Sequence, residues 1–208
     1  IYKDVGGLAN EMGIGLKFDV PFLGTVKTQY VPKADGTKNA DNASSADTGT
    51  KGDGLEVVVV NDLGNLPVVG SYLDGLKLTA GYAEEEMSQA ANTTDRHEAT
   101  VALTGAFGNF KFGYQKELVD EGQTAALTDA DFYKIESIGL AYAINDALSI
   151  SYNTMEQQQH NIDADSSFTQ DTKAISIGYT VGGMTIGFQD ASTDNANMVK
   201  DAQDDTRT

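Results

Sequence analysis

The chain contains no cysteine. That excludes thiol nucleophiles, iron–sulfur clusters and thiolate zinc sites, and it suits a polypeptide that crosses an oxidising compartment. Basic residues are scarce: 14 Lys and Arg stand against 31 Asp and Glu, for a formal net charge of −17. Without a basic footprint nothing equips the chain to grip a nucleic-acid backbone. Long hydrophobic runs are missing as well. The longest, residues 57–60 with their neighbours, falls far short of the roughly 20 residues a transmembrane helix needs. Mean hydropathy is −0.31, which argues against helical spanners only. A spanning β-strand needs about 10 residues, and only its lipid-facing half must be apolar. The two histidines, His97 and His160, fall in or beside polar stretches. No Gly-x-Ser-x-Gly elbow, paired-histidine metal motif or phosphate-binding glycine loop is present. Ser88 and His97 bracket one polar stretch too loosely for the paired geometry of a hydrolase. Neither enzymatic chemistry nor a cofactor or resident metal is expected.

What is present is alternation. About ten short stretches place apolar and polar residues in turn, the period of a strand with two unlike faces. The last pair is the clearest: 173–181 and 184–191 flank Gly182-Gly183, which suits a two-residue primed turn. In that register Val181 faces Met184, Tyr179 faces Ile186 and Ile177 faces Phe188, all on one side. Thr180–Thr185, Gly178–Gly187 and Ser176–Gln189 share the other. Residues 13–20 and 25–31 join through Pro21-Phe22-Leu23, with Gly24 placed for a bulge. Ile14, Leu16, Phe18, Val26 and Tyr30 then share a face. Residues 98–104 and 110–117 join through 105–109, and 134–143 and 148–155 through Ile144-Asn145-Asp146. Residues 76–83 form a further strand. Residues 55–60 are apolar on both parities, so their facing is open, and 66–72 either extend a strand or fold as a small plug.

The connections alternate in length. Tight turns exchange with long polar stretches at 32–54, 84–97, 118–131, 156–171 and from 192 onward; at the tight-turn rim only 61–75 is long for a turn. This rhythm predicts one all-β domain over 1–208, an antiparallel up-and-down transmembrane β-barrel with its long loops at one rim. A soluble antiparallel sandwich also hides every second residue, but it has no reason to sort long loops from short. Ile1 is not an initiator, no signal peptide follows it, and the chain closes on a Ser/Asp/Asn-rich stretch rather than a strand. The domain is therefore expected to be incomplete at both ends, because lipid tolerates no unpaired strand edge.

The passage Gly15-Leu16-Lys17-Phe18-Asp19-Val20-Pro21-Phe22-Leu23-Gly24, followed by Val26, Tyr30-Val31-Pro32, resembles a recurring passage of Gram-negative outer-membrane general porins. Leu76…Gly81-Tyr82, Phe110…Gly113-Tyr114, Ile138-Gly139-Leu140…Tyr142 and Ile177-Gly178-Tyr179 are similar to that family's strand endings. The resemblance implies a sixteen-stranded, homotrimeric barrel in the outer membrane, in contact with lipid and lipopolysaccharide. By this analogy the chain runs from about the sixth strand to about the fifteenth. The constriction loop and the closing strand would lie outside it.

Parity assigns Lys17, Asp19, Lys27, Gln29, Lys77, Lys111, Gln115, Asn153 and Gln189 to the polar face as candidate pore-lining residues. Lys17 and Lys27 fall side by side, with Asp19 on a short diagonal. The basic ladder of general porins resembles Lys17, Lys27, Lys77 and Lys111, which would attract anions in a narrow channel. The alternative is that they only solvate a wide lumen or neutralise Asp19. Gln29, Gln115, Asn153 and Gln189 would wet the wall. The acidic runs Glu84-Glu85-Glu86, Asp120-Glu121 and Asp204-Asp205 are hard oxygen donors, yet their spacing matches no calcium loop, so they read as solvated faces. The same holds for Asp35, Asp41, Asp47 and Asp53, whose spacing of six fits no such pattern. The expected function is passive diffusion of small hydrophilic solutes and ions. The alternatives are a surface adhesin or receptor-like structural barrel acting through long acidic loops, and a soluble extracellular β-repeat protein.

Overall fold

A period of two puts successive side chains on opposite faces of a pleated strand, and the chain spends that period on a single sheet. The computed structural model describes residues 13–31, 53–86, 95–120, 132–161 and 166–207. Eleven strands follow one another: β1 (Ile14–Val20), β2 (Gly24–Val31), β3 (Gly54–Asp62), β4 (Leu76–Glu85), β5 (Arg96–Phe107), β6 (Phe110–Asp120), β7 (Phe132–Ala143), β8 (Leu148–Asn161), β9 (Ser166–Val181), β10 (Met184–Asp194) and β11 (Gln203–Arg207). Each is antiparallel to its chain neighbours, in the order β1 to β11 without a crossover. β1 and β11 do not pair with each other, so the sheet is open at both edges.

No second layer covers this sheet among the described residues. The only helices there are three-residue 310 turns, Leu63–Asn65, Gly70–Tyr72 and Ala196–Met198. Among the described residues, buried apolar side chains are confined to Val26, Val31, Ala83 and Ala196. The strands are held instead by the backbone ladder, which satisfies amide and carbonyl groups pairwise, and by neighbouring side chains on each face.

The registers expected for the two clearest hairpins are present. Val181 pairs Met184, Tyr179 pairs Ile186 and Ile177 pairs Phe188 around Gly182-Gly183, both in left-handed backbone. At the first hairpin Val20 pairs Gly24 across Pro21-Phe22-Leu23. The Leu23 amide donates to the Val20 carbonyl at 3.2 Å, and the Asn61 Nδ2 donates to the Phe22 carbonyl at 2.7 Å, tying the turn to β3.

Several boundaries differ from expectation, most of them in one direction. Strands run further toward the long connections than alternation indicates. β5 begins at Arg96, β7 at Phe132 and β9 at Ser166, while β8 continues to Asn161. The connection expected over 156–171 shrinks to 162–165. At the other end β5 continues to Phe107, leaving a two-residue turn where 105–109 was expected. The stretch after residue 192 holds an eleventh strand, β11, against an expectation of ten. Alternation reports two unlike faces; these extensions are polar on both, as over 156–160, or aromatic on both, as at Phe132-Tyr133, so the ladder continues while the sequence signal stops. Residues 66–72 extend no strand, and Gly70–Tyr72 is a 310 turn. His97 and His160 lie within β5 and β8, not in loops. Ser88, Asp35, Asp41, Asp47 and Glu121 lie outside the described residues.

Gly24 has φ +93°, and a Cβ there would lie 2.2 Å from the Val60 carbonyl oxygen. Gly108 has φ +55° with nothing within 4 Å. Gly24→Ala is therefore expected to cost more stability than Gly108→Ala, by roughly 1–3 kcal/mol. Equilibrium denaturant unfolding of the two variants measures that difference.

Candidate functional site: the two faces of the sheet

An unbroken ladder transmits parity from strand to strand, so one face can be read across the whole sheet. Phe110, Tyr142, Ile150, Ile177 and Phe188 are successive partners from β6 to β10. Phe18, Val26, Val59, Ala80 and Val101 form another such row from β1 to β5. The facing of β3, open from sequence, is thereby decided: Leu55, Val57 and Val59 join the apolar face, and Val58 and Val60 turn away. Apart from the buried Val26, these side chains are exposed or half-buried. Ile177 is 40% accessible, Tyr179 44%, Ile186 54% and Phe188 49%, so no dry protein interior receives them.

The apolar face stops at a common height. On β4, β6, β7, β8, β9 and β10 its first charged residue comes six to eight residues from the tight-turn end. Glu84 is counted from Leu76, Lys116 from Phe110, Glu136 from Ala143, Glu156 from Leu148, Lys173 from Val181 and Asp190 from Met184. At about 3.3 Å per residue this is roughly 20–26 Å of strand. Two tyrosines mark the boundary. The Tyr30 hydroxyl donates to Asp53 Oδ2 at 2.9 Å. The Tyr82 hydroxyl lies 3.1 Å from Glu84 Oε2 and 3.0 Å from His97 Nδ1. Both phenol oxygens reach toward the long-connection end, with their rings on the apolar side. Beyond the boundary, Lys116 pairs with Glu136 at 3.8 Å, and His160 stacks on Phe132 at 4.5 Å.

The opposite face is built from small and polar residues. A hollow of about 370 Å³ opens on it, lined by Thr104, Gln115, Ser137, Asn153 and Thr172. Gly113 and Gly139 face each other directly in its floor. A Cβ on Gly139 would meet Asn153 Oδ1 at 2.8 Å, so the missing side chain makes room for that amide.

The chain matches no protein-family model and no curated protein. Its site must be read from its own geometry.

All nine residues singled out by parity fall on this small-residue face. Lys17 pairs directly with Lys27, and Asp19 pairs with Thr25, whose hydroxyl donates to it at 2.6 Å. Gln29 pairs with Glu56, Lys77 with Asp62, Lys111 with Ala106, Gln115 with Ser137, Asn153 with Gly139 and Gln189 with Ser176. The structure does not gather them at one point. They spread over six strands, β1, β2, β4, β6, β8 and β10, as wall positions.

Sequence reasoning placed Asp19 on this face and missed its glutamates. Glu56, Glu85, Glu98 and Glu117 share its parity, but three of them lie in or beside the strand extensions where alternation fades. Glu85 and Glu98 are each only 7% accessible. Arg96 Nη2 donates to Glu98 Oε1 at 2.6 Å, and Arg96 stands opposite Glu85 on the ladder. Removing the cation leaves a buried carboxylate behind, so Arg96→Met is expected to destabilise by about 1–3 kcal/mol. Lys116→Met, at a pair exposed on both sides, is expected to change stability by under roughly 0.5 kcal/mol. Parallel denaturation of both variants tests the contrast.

Proposed function

We propose that this sheet is wall of a water-filled β-barrel in an outer membrane, through which small hydrophilic solutes and ions diffuse. One observation carries the reading: a single-layer sheet exposes a continuous apolar face that ends at one height, with no protein layer over it among the described residues. A water-soluble sheet hides such a face, since exposed apolar patches beyond a few hundred Å² are rare on monomers. Hydrocarbon is the medium that suits it, and tyrosines with raised hydroxyls suit the headgroup boundary. The small-residue face then meets water.

The reading requires that both open edges be paired, by strands beyond those described or by another chain, because unpaired backbone is not tolerated in lipid. The resemblance to Gram-negative general porins supports this direction and adds a homotrimer and contact with lipopolysaccharide to the proposal. No metal or cofactor enters the mechanism. Solutes that fit pass, and wall charge biases which ions follow.

A second reading has one observation in its favour. β8 and β9 continue as a paired hairpin past Glu156 and Asp171 to Asn161 and Ser166, above the apolar band. A rigid polar hairpin of that kind suits a surface adhesin. A planar-bilayer recording of the full-length protein separates the two. Stepwise conductance is expected, and silent membranes would leave the surface role. Lys17→Glu with Lys27→Glu is expected to lower the anion-to-cation permeability ratio roughly two-fold or more at 0.1 M salt. An unchanged reversal potential would remove both lysines from the wall.

Membrane placement has its own test. The chain has no tryptophan, so Phe188→Trp and Gln189→Trp each supply one probe on opposite faces. Brominated lipid is expected to quench the first and leave the second largely unquenched.

A further inference from the structure

Charge on the small-residue face is sorted along the strands. Lys17, Lys27, Lys77 and Lys111 all lie within three residues of a tight-turn end, counted from Val20, Gly24, Leu76 and Phe110. Glu56, Glu85, Glu98 and Glu117 all lie six or more residues from that end, counted from Asp62, Leu76, Phe107 and Phe110. Three residues break the pattern, so the sorting is one of net charge: Asp19 and Asp62 stand against the four lysines near the tight-turn ends, and Arg96 stands among the four glutamates. Asp19 accepts the Thr25 hydroxyl at 2.6 Å, Asp62 accepts the Gly64 amide at 3.1 Å, and Arg96 donates to Glu98 at 2.6 Å. On the remaining flank β7, β8, β9 and β10 bring no charged side chain to this face, and β11 adds Asp204, opposite Thr193 at the long-connection end.

We propose that this sorting makes the channel rectify, passing more current when the long-connection side is positive. The inference rests on the reading that this face lines a water-filled pore. Fixed charges on a low-dielectric wall concentrate mobile ions of opposite sign. Cations therefore gather beside the carboxylate zone, and anions beside the ammonium zone. With the long-connection side positive, cations move inward past the carboxylates while anions move inward past the lysines. Each enters through the half that favours it, and carriers accumulate where the zones meet. Reversed polarity withdraws both kinds from the junction and makes each enter through the half that repels it. Screening sets the range, about 10 Å at 0.1 M salt and about 3 Å at 1 M.

The test uses single channels of the full-length protein in planar bilayers. Because the chain has no cysteine, Lys200→Cys in the connection between β10 and β11, labelled from one chamber with an impermeant thiol reagent, reports which side carries that rim. At 0.05 M KCl, current at +100 mV on that side is expected to exceed current at −100 mV by roughly 1.5-fold or more, with the ratio falling toward one at 1 M. Lys77→Gln with Lys111→Gln, and separately Glu56→Gln with Glu117→Gln, are each expected to reduce the ratio. Exchanging the signs at those four positions is expected to invert it. Heat-dependent gel mobility reports that each variant is folded. Conducting channels with equal currents at low salt, or a ratio untouched by either neutralised pair, would overturn rectification and leave the porin reading standing. Silent bilayers would overturn that reading itself, and this inference with it.

Discussion

The pleat, carried from strand to strand by a backbone ladder, is the constraint on which this molecule depends. In most domains a second layer of helices or strands shares that work, and a buried core penalises any strand that slips. Here eleven strands are each held by chain neighbours alone, and four buried apolar side chains are all the described residues offer as a core. A slip of one residue in β9 would send Ile177 and Tyr179 to the small-residue face and put Ser176 and Gly178 among the apolar rows. Every strand beyond it would inherit the error or lose its partner. The tight turns guard against this. Gly182 and Gly183 supply left-handed backbone for the shortest of them, and Gly24 seats the first turn against β3, where no side chain has room.

Once parity is secured, the two faces take on separate chemistry. The apolar rows need a medium, and their common upper limit matches a slab better than it matches a partner protein of irregular outline. Tyr30 and Tyr82 place their rings below that limit and their oxygens on acidic or imidazole groups above it. The other face is shaped by what it lacks. Glycines and alanines opposite one another leave a hollow, and the larger charged residues stand toward the two ends of β1–β6. In the proposed reading the same strand answers to a bilayer on one side and to electrolyte on the other. Its axis sets a coordinate that both faces share: height above the tight turns.

Much of the architecture was legible in the residues. Gly182-Gly183 announced a two-residue turn, and the pairings of Val181, Tyr179 and Ile177 followed from it. The side-by-side placement of Lys17 and Lys27 followed in the same way from the turn at Pro21–Leu23. Legibility failed where the physics ceased to distinguish the faces. Above the apolar band, Gln157, Gln158 and Gln159 in β8 are polar on both parities, so no alternation reveals that they are paired strand. The four valines of β3 fail for the opposite reason, being apolar on both parities, and only their partners on β2 and β4 assign them. β11 is short, acidic and polar throughout, and it is a strand because β10 offers it an edge.

Local chemistry in the chain determined the period, the tight turns, the one-sided distribution of bulky side chains and the exclusion of thiol chemistry. These depend on residues close together in sequence, where dihedral preference and side-chain size act directly. Tertiary structure alone decided how far each strand runs, which way β3 faces, and that the lysines and glutamates of one face stand at opposite ends. Height is not a property of any single strand. It exists only when eleven of them are held in register, because the ladder, and nothing in the local sequence, sets one strand's ends against the next.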